Sequence, residues 1–290
     1  MMGADTGAEG VSAAATYRRD FSMRALLSTA LFAYMGFILM VIVANAVWLT
    51  RENPRTHESY LVALVANQDL RSQVVSSFRL SLISSIITTI IAVLMAVPSA
   101  YALSRFRFRA AAFIDTVIDL PLVVPPLIAG IALLLFFRQS PIGRLIDEHV
   151  VPVVYTRTGI VVAQFFIASA FAIRAIKAAF DQVNPRFEFV ARSLGCGPWK
   201  ALFKITLPLA RNGIVAGTVM TWARSMGEFA PVMMLAGATP GKTDVLPVAA
   251  FLNMSGGHIE AAVAIVVLMI LIAAVTLITF KRLGGQGYIW

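Results

Sequence analysis

Six long apolar runs constrain the fold of this chain more than any other feature of the sequence. A helix needs about 20 predominantly apolar residues to cross the roughly 30 Å of hydrocarbon in a bilayer. The runs are Ala25–Leu49, Val74–Leu103, Ala110–Phe137, Thr158–Phe180, Asn212–Gly237 and Ala261–Phe280. They are apolar on every face, whereas the strands of a membrane barrel would alternate. The sequence therefore predicts an all-α integral membrane protein with about six transmembrane helices.

Composition agrees with a membrane protein and gives no sign of a catalytic centre. Hydrophobic residues make up 59% of the chain and charged residues only 13%, whereas about 25% of a soluble domain is charged. The single cysteine, Cys196, excludes an intramolecular disulfide, and the histidines His57, His149 and His258 are scattered along the chain. No catalytic residue and no metal ligand is predicted from this pattern.

The distribution of positive charge predicts the orientation in the membrane. The connections on one side of the six runs contain 15 Lys and Arg residues, and those on the other side contain 7. Basic residues concentrate in cytoplasmic loops, so both termini are expected in the cytoplasm. The net charge of +9 is then explained by topology in the cytoplasmic membrane, and nucleic acid is not expected as a partner.

The predicted spans divide the chain into three segments. Residues 1–24 are expected to form a cytoplasmic N-terminal tail, disordered over residues 1–20. Residues 25–282 form the transmembrane domain, and residues 283–290 a cytoplasmic C-terminal tail. The first apolar run is too long for a signal peptide and is expected to be retained as a span.

The cytoplasmic loop over residues 181–208 carries most of the functional information. Asn184 and Pro185 are typical of the cap and the first position of a helix. Glu188 would then lie in the first turn, where the helix dipole favours a negative charge. Gly195 is placed to end this helix in a left-handed conformation.

This short helix has an apolar face that something must cover. The face is formed by Phe187, Val190, Ala191 and Leu194. A second short helix is expected over residues 199–205, before Pro208 opens the next span. The first helix could lie on lipid, which Arg192 and Lys200 would favour, or it could dock on a partner protein. These local features leave both interpretations open.

Spacing within the loop brings in a known family. Gly195 is followed by nine residues and then by Ile205-Thr206-Leu207-Pro208. The loop resembles the conserved cytoplasmic loop of binding-protein-dependent ABC importer permeases. Their pattern is Glu-Ala-Ala, three residues, Gly, nine residues and Ile-x-Leu-Pro. Ala191 matches the second Ala of that pattern.

The loop departs from the family pattern in its first part. Phe189 stands where Glu is usual, Val190 stands where Ala is usual, and Glu188 lies one residue early. In the family, this loop inserts as a coupling helix into a groove on a separate ATP-binding subunit. The resemblance therefore implies a coupling role for Glu188, Phe189, Ala191, Gly195, Ile205, Leu207 and Pro208. The departures leave the individual docking contacts open.

The resemblance also implies a fold and an assembly. The fold is that of a type I ABC importer permease, with residues 25–282 as the permease domain. The expected partners are a second permease copy forming a homodimer, ATP-binding cassette ATPase subunits, an external substrate-binding protein and membrane lipid. ATP and Mg²⁺ would be bound by the ATPase subunit, so this chain is expected to be neither an enzyme nor a cofactor-binding protein. Gly241-Lys242-Thr243 resembles the end of a P-loop only superficially, since no strand precedes it and the spacing to Gly237 is wrong.

Two spans carry residues that are unusual inside a membrane. The third span contains Pro121, Pro125 and Pro126, which would kink it as a packing feature or as a gate. Arg224 and Glu228 are four residues apart in the fifth span and can pair. Charges at this depth face the bundle or a water-filled cavity, so the pair is either structural or part of a translocation pathway. Arg79 is a candidate third member of this group.

The same stretches indicate a branch of the family. The segments Leu120–Gly130, Ala223–Phe229 and Pro240–Thr243 resemble permeases for molybdate, tungstate and sulfate, and the resemblance covers roughly residues 74–282. It implies transport of an oxyanion, with molybdate as the first candidate. A permease for another substrate such as ferric iron is an alternative, as is a stand-alone secondary transporter. Asp115 and Asp119 lie near the cytoplasmic end of the third span, where they are expected to meet headgroups or the basic loop.

Overall fold

The computed structural model describes residues 6–51, 62 and 66–283. The chain divides into two compact units, residues 1–59 and 60–290. Regular structure in the described ranges is helical throughout, and they contain no strand. The prediction of an all-α chain is confirmed.

The first unit contains one helix, α1, over Thr6–Thr50. Its apolar part, Met23–Trp48, is long enough to cross a membrane and matches the predicted first span. The helix begins at Thr6, so most of the segment expected to be disordered is helical. Alanines in this segment favour helix, and extending an existing helix needs no new nucleus.

The second unit contains eleven helices and two π-helical turns within its described residues. They are α2 (Gln68–Arg105), α3 (Ala111–Val123), α4 (Pro126–Gln139), α5 (Pro141–Leu145), the turn π1 (Ile146–Val150), α6 (Arg157–Asp181), α7 (Arg186–Ser193), α8 (Pro198–Ala201), the turn π2 (Leu202–Thr206), α9 (Leu207–Met226), α10 (Ala230–Leu235), α11 (Leu246–Ser255) and α12 (Ile259–Leu283).

Three of the predicted spans appear in this unit as single long helices. α2, α6 and α12 contain the second, fourth and sixth apolar runs and, with α1, make four helices that could each cross a membrane. The predicted third span is instead the pair α3 and α4, bent by 108°. The bend falls where Pro125 and Pro126 follow each other, since proline removes a backbone donor and restricts the preceding residue to extended conformations.

The predicted fifth span is also interrupted. α9 is 20 residues long, which spans about 30 Å, but Arg211 and Arg224 make it less apolar than the other long helices. It ends at Gly227, and the chain resumes as the short helix α10 after Phe229. Counted by length and composition, the described residues therefore supply four spans, or five if the bent pair is one span.

α2 packs against α6 along a stripe of small buried residues. The stripe consists of Ser77, Ser81, Ser84, Ser85, Thr88, Thr89, Ala92, Ala96 and Ala100. Small residues let two membrane helices approach closely. The opposing core on α6 includes Ala172, Ile176 and Phe180. This close contact fixes α2 and α6 as the centre of the second unit.

The loop between α10 and α11 is fastened to the beginning of α2. The Ser77 hydroxyl donates to Asp244 at 3.1 Å, and the Leu246 amide donates to Ser81 at 2.6 Å. Thr243, the last residue of the P-loop-like tripeptide, is buried and donates to the Gly237 carbonyl. A helix and not a strand precedes this loop, so it lacks the context of a phosphate-binding loop.

Candidate coupling surface and translocation helices

The loop after α6 folds as two short helical segments with defined ends. Asn184 Oδ1 accepts from the Arg186 amide at 3.0 Å at the start of α7. Gly195 ends the helix with a φ of +84°, and the Cys196 amide reaches back to the Ala191 carbonyl at 3.0 Å. This bond is the one expected when a left-handed glycine closes a helix, so the predicted end of α7 is confirmed. The start lies within one residue of the prediction.

One face of the loop is apolar and exposed. Its side chains are Phe187, Phe189, Val190, Leu194, Trp199 and Phe203, here called the docking surface. Leu194 is 83% exposed and Trp199 is 73% exposed. The rings of Trp199 and Phe203 stack with centroids 6.4 Å apart. Large apolar side chains gathered this way mark an interaction site.

Two residues grouped with that surface by sequence point the other way. Ala191, predicted on the apolar face with Phe187 and Leu194, is buried. Glu188 is also turned inward, with its side chain only 12% exposed. The exposed apolar face is therefore formed by Phe187, Val190 and Leu194 without Ala191.

The Glu188 carboxylate is held by three groups from other parts of the chain. Arg105 Nε donates to it at 3.0 Å, Tyr101 Oη at 3.1 Å and Thr206 Oγ1 at 2.5 Å. Burial alone would raise the pKa of Glu188, but the hydrogen bonds from Thr206, Arg105 and Tyr101 outweigh it, and the pKa lies below its usual value. Glu188 is therefore a carboxylate at neutral pH.

The remaining residues assigned to the loop are distributed along its second half. Leu207 is half-buried and packs against the core of α2 and α6. Ile205 is half-buried, and Pro208 is exposed in the first turn of α9. None of these three belongs to the docking surface. They join the loop to the helix bundle.

The three prolines of the third predicted span lie at or near the bend. Pro121 is inside α3, while Pro125 precedes α4 and Pro126 begins it. A few residues later, α4 crosses α10 closely at Gly130, where a Cβ would lie 2.8 Å from Pro231 Cα. The proline bend therefore directs α4 onto the short helix that follows the break in α9.

Arg224 and Glu228 form an ion pair at that break. Glu228 is 2% exposed. Its Oε1 atom contacts Arg224 as an ion pair, but the geometry of this contact is not that of a hydrogen bond. The Arg224 guanidinium also lies 5.6 Å from the ring centre of Phe171 on α6, a cation–π contact. Arg79 is exposed on α2, and no contact with this pair is seen. The structure therefore brings together Arg224 and Glu228 but leaves Arg79 apart.

A second ion-pair group was missed in reading the sequence. Arg174 on α6 binds Asp119 with two nitrogens at 2.6 and 2.8 Å and binds Asp115 at 2.8 Å. Asp115 and Asp119 were expected to meet headgroups or the basic loop, but both face Arg174. Acids four residues apart share a helix face, so their spacing was the available signal.

A cavity of about 350 Å³ lies between α2, α9 and α12. Phe78, Leu82, Trp222, Leu271 and Val275 are among the residues that line it. Such a lining offers no charge to a divalent anion. Neither Arg224 nor Glu228 lines this cavity.

Comparison with known proteins establishes the family. Residues 88–284 match the family described as binding-protein-dependent transport system inner membrane component. The chain belongs to this family, which places it in the inner membrane as a transport permease. The predicted membrane localisation is confirmed.

Individual relatives agree with this assignment. The chain is 35% identical to a probable molybdenum ABC transporter permease protein of Haloferax volcanii over 72% of this chain and 75% of the relative. It is 29% identical to the molybdate/tungstate transport system permease protein WtpB of Thermococcus kodakarensis over 93% of this chain and 98% of that relative. It is 30% identical to the sulfate transport system permease protein CysT of Escherichia coli over 72% of this chain and 75% of that relative.

A solved structure shares the fold. A chain of a bacterial ABC transporter involved in the import of the acidic polysaccharide alginate superposes with a TM-score of 0.72 at 16% identity. The match covers 94% of this chain and 98% of that chain. The predicted type I importer permease fold is confirmed.

Proposed function

We propose that this permease carries an oxyanion across the cytoplasmic membrane, with molybdate as the first candidate and tungstate or sulfate as the others. Support comes from relatives named for molybdenum, molybdate/tungstate and sulfate transport. Arg224 lies at the break between α9 and α10, where a charged residue inside the membrane can meet a substrate. Arg79 is a further cation in α2. Pro121, Pro125 and Pro126 shape the neighbouring bend.

The proposal includes a separate ATPase that binds the docking surface and that itself binds ATP and Mg²⁺. The exposed apolar docking surface is the observation that carries this assignment. Its opposite face packs on Arg105 and Tyr101, at the end of α2. The docking surface thus points away from the spans, which favours a protein partner over lipid.

The remaining partners are proposed from the family. A second copy of this chain would complete the permease as a homodimer, and an external binding protein would deliver the substrate. The solved alginate transporter has been seen with a periplasmic protein bound to its ligand. Both termini are proposed to lie in the cytoplasm, from the distribution of Lys and Arg.

Substitutions at one exposed position test the docking assignment. Leu194→Asp places a charge in the apolar surface, whereas Leu194→Met keeps it apolar with a similar volume. We expect Leu194→Asp to weaken binding of the ATPase by at least about tenfold, as loss of a central apolar contact does. Leu194→Met should bind normally. Equal binding by both variants in a pull-down from detergent would remove the docking surface from the interface.

Substrate identity is tested in proteoliposomes that contain the permease, its ATPase and a binding protein. ATP hydrolysis would be measured with molybdate, tungstate, sulfate or ferric iron. Stimulation by an oxyanion that depends on the binding protein is the expected result. Stimulation by ferric iron alone would support the importer function but would show that ferric iron, and not an oxyanion, is the substrate. Anion uptake without any ATPase would instead support a stand-alone secondary transporter.

A further inference from the structure

Glu188 joins the loop of the docking surface to helices that are distant in sequence. Its partners Tyr101 and Arg105 lie on the last turns of α2, more than 80 residues earlier in the chain. Thr206 belongs to π2, directly before α9. One carboxylate therefore contacts both α2 and the entrance to α9.

Arg105 extends this contact to a third span. Besides Glu188, its guanidinium donates to the Phe180 carbonyl at 3.1 Å and to the Val183 carbonyl at 2.9 Å. These carbonyls lie at the end of α6. The Arg105 side chain is only 8% exposed, and charge-assisted bonds of this kind are stronger than neutral ones. The ends of α2 and α6 and the start of α9 are thus connected through two side chains.

The covalent chain provides only part of this connection. Residues 182–185 link α6 to α7, and the segment after Gly195 leads through π2 to α9. Along the chain, α2 is separated from α7 by residues 106–185, which include α3 to α6. Any displacement of α7 therefore reaches α2 through non-covalent contacts, and Glu188 supplies the charged part of them.

We propose that Glu188 is a positioning residue that transmits displacement of the docking surface to α2 and α9. It does so from the inner face of α7, so it does not belong to the surface that the ATPase contacts. The proposal rests on the proposed function, because it assumes that an ATPase binds the docking surface. In this proposal, Glu188 couples the docking surface to the spans within the permease, whereas Phe187, Phe189 and Leu194 bind the ATPase.

Glu188→Ala in the complete transport complex separates these two roles. We expect this variant to bind the ATPase and to support ATP hydrolysis, while substrate uptake per ATP hydrolysed falls by about tenfold, within the range seen for residues that carry coupling. Glu188→Gln keeps an oxygen that can accept from Thr206, so it should recover part of the lost uptake per ATP. A residue that only stabilised the fold would lower hydrolysis and uptake together.

Asp181→Asn is a matched control from the same end of the bundle. Asp181 accepts from Ser104 at 2.6 Å and pairs with Lys177 at 2.7 Å, but none of these contacts reaches α7. Ser104 also accepts from Arg105 Nη1 at 3.0 Å, and the asparagine keeps an oxygen that can accept from Ser104. The substitution therefore removes a charge at a similar position and leaves the three donors of Glu188 in place. Uptake per ATP should stay at the wild-type value in this variant.

The outcomes distinguish the inference from the proposed function. Unchanged uptake per ATP in Glu188→Ala overturns the inference, and so does loss of ATPase binding equal to that of Leu194→Asp. Retained ATPase binding in Leu194→Asp contradicts the docking assignment whatever Glu188 does. If Glu188→Ala does not assemble, the near-isosteric Thr206→Val decides, because it removes one of the three donors. Thr206→Val should lower uptake per ATP, and a wild-type ratio would overturn the inference.

Discussion

The backbone at Gly195 has a φ of +84°, and open space surrounds the position where a Cβ would be placed. Any cost of a larger residue there comes from backbone conformation, since left-handed backbone costs an ordinary residue about 1–2 kcal/mol. Two residues later, Gly197 is equally open but has an ordinary φ of −66°. The two glycines form a matched pair that separates conformation from crowding.

We predict that Gly195→Ala lowers ATP-driven uptake and that Gly197→Ala leaves it close to wild type. The first substitution strains the end of α7 and shifts the docking surface, whereas the second fits the existing backbone. Uptake and ATPase binding should be measured for both in the same proteoliposomes. Equal activity of the two variants would show that the left-handed turn is not needed.

Arg224 and Glu228 make a second prediction at the scale of residues. Arg224→Ala leaves the buried Glu228 without its counter-charge, and Glu228→Ala leaves Arg224 unpaired. Removing one member of a buried pair costs about 3–5 kcal/mol, although partial exposure of Arg224 reduces this. We expect each single variant to be less stable in detergent than the double variant, judged by thermal unfolding. Additive losses would indicate that the residues act independently.

Single residues were predicted unevenly from sequence. Gly195 could be assigned because its conformational role depends only on its neighbours in the chain. The inward orientation of Glu188 could not, because its partners Arg105 and Thr206 come from segments that only the tertiary fold brings together. The pairing of Arg224 with Glu228 was accessible from their spacing within one helix. Arg79 has no such local partner, and its place in the mechanism stays a prediction.

At the scale of elements, the crossing of α4 and α10 depends on the absence of a side chain. A Cβ at Gly130 would lie 2.8 Å from Pro231 Cα and 2.9 Å from Met234 Cβ. Backbone and Cβ atoms cannot yield as the end of a flexible side chain can. The two helices would have to separate to admit even one methyl group.

Gly130→Ala is therefore expected to destabilise the protein by about 1–3 kcal/mol, the usual cost of overpacking. Gly36→Ala is the control, since Gly36 lies in α1 with nothing within 4 Å of its Cβ position. Alanine favours helix over glycine by up to about 1 kcal/mol, so this variant should be unchanged or slightly more stable. Thermal unfolding in detergent compares them. A similar effect at both positions would contradict a close crossing.

Helices were predicted best where the apolar run was uniform. α2, α6 and α12 agree with the predicted spans because length and hydropathy alone decide them. The bend between α3 and α4 was expected only as a kink, since prolines show where a helix can break but not the angle that packing selects. The ion pairs of Arg174 with Asp115 and Asp119 required the tertiary contact between α3 and α6. Hydropathy carries no information about that contact.

At the scale of the whole molecule, Glu188 gives stability a dependence on pH. Its pKa in the folded protein lies below the ordinary value of 4.5. A lowered carboxyl pKa contributes stability above the unfolded value, and this contribution is lost as pH falls through the folded value.

We predict that wild type unfolds at a higher temperature than Glu188→Gln at pH 7, that this difference begins to shrink as pH falls below about 4.5, and that it disappears only below the lower pKa of the folded protein. The glutamine variant lacks the carboxyl group that titrates, so it serves as the reference for the wild type at each pH. Thermal unfolding in detergent at stepped pH measures the difference. A constant difference between pH 7 and pH 4 would contradict a charged role for Glu188.

The family and the fold of the whole molecule were within reach of the sequence, whereas the substrate was not. The spans could be predicted because they depend on hydropathy, and the family could be predicted because the spacing of the loop pattern from Gly195 to Pro208 is specific. Recognition of an anion depends on how a few charges converge in three dimensions. Of the two arginines predicted inside spans, Arg79 and Arg224, the structure places Arg224 at a break between helices.

The stripe of small residues on α2 changes character along its length. Its first half contains hydroxyl side chains, and several bind neighbouring segments: Ser77 to Asp244, Ser81 to Leu246 and Thr88 to Gln164. Its second half contains only alanines at the buried positions, Ala92, Ala96 and Ala100. Hydrogen bonds fix direction as well as distance, while methyl contacts are non-directional. The alanine stretch therefore lies between two places where α2 is hydrogen-bonded to α6: Thr88 with Gln164 on one side, and the last turn of α2 with Asp181 and Phe180 on the other. Along the alanines only van der Waals contact resists a change in the distance or angle between the two helices, so the seam is stiff at both ends and compliant between them.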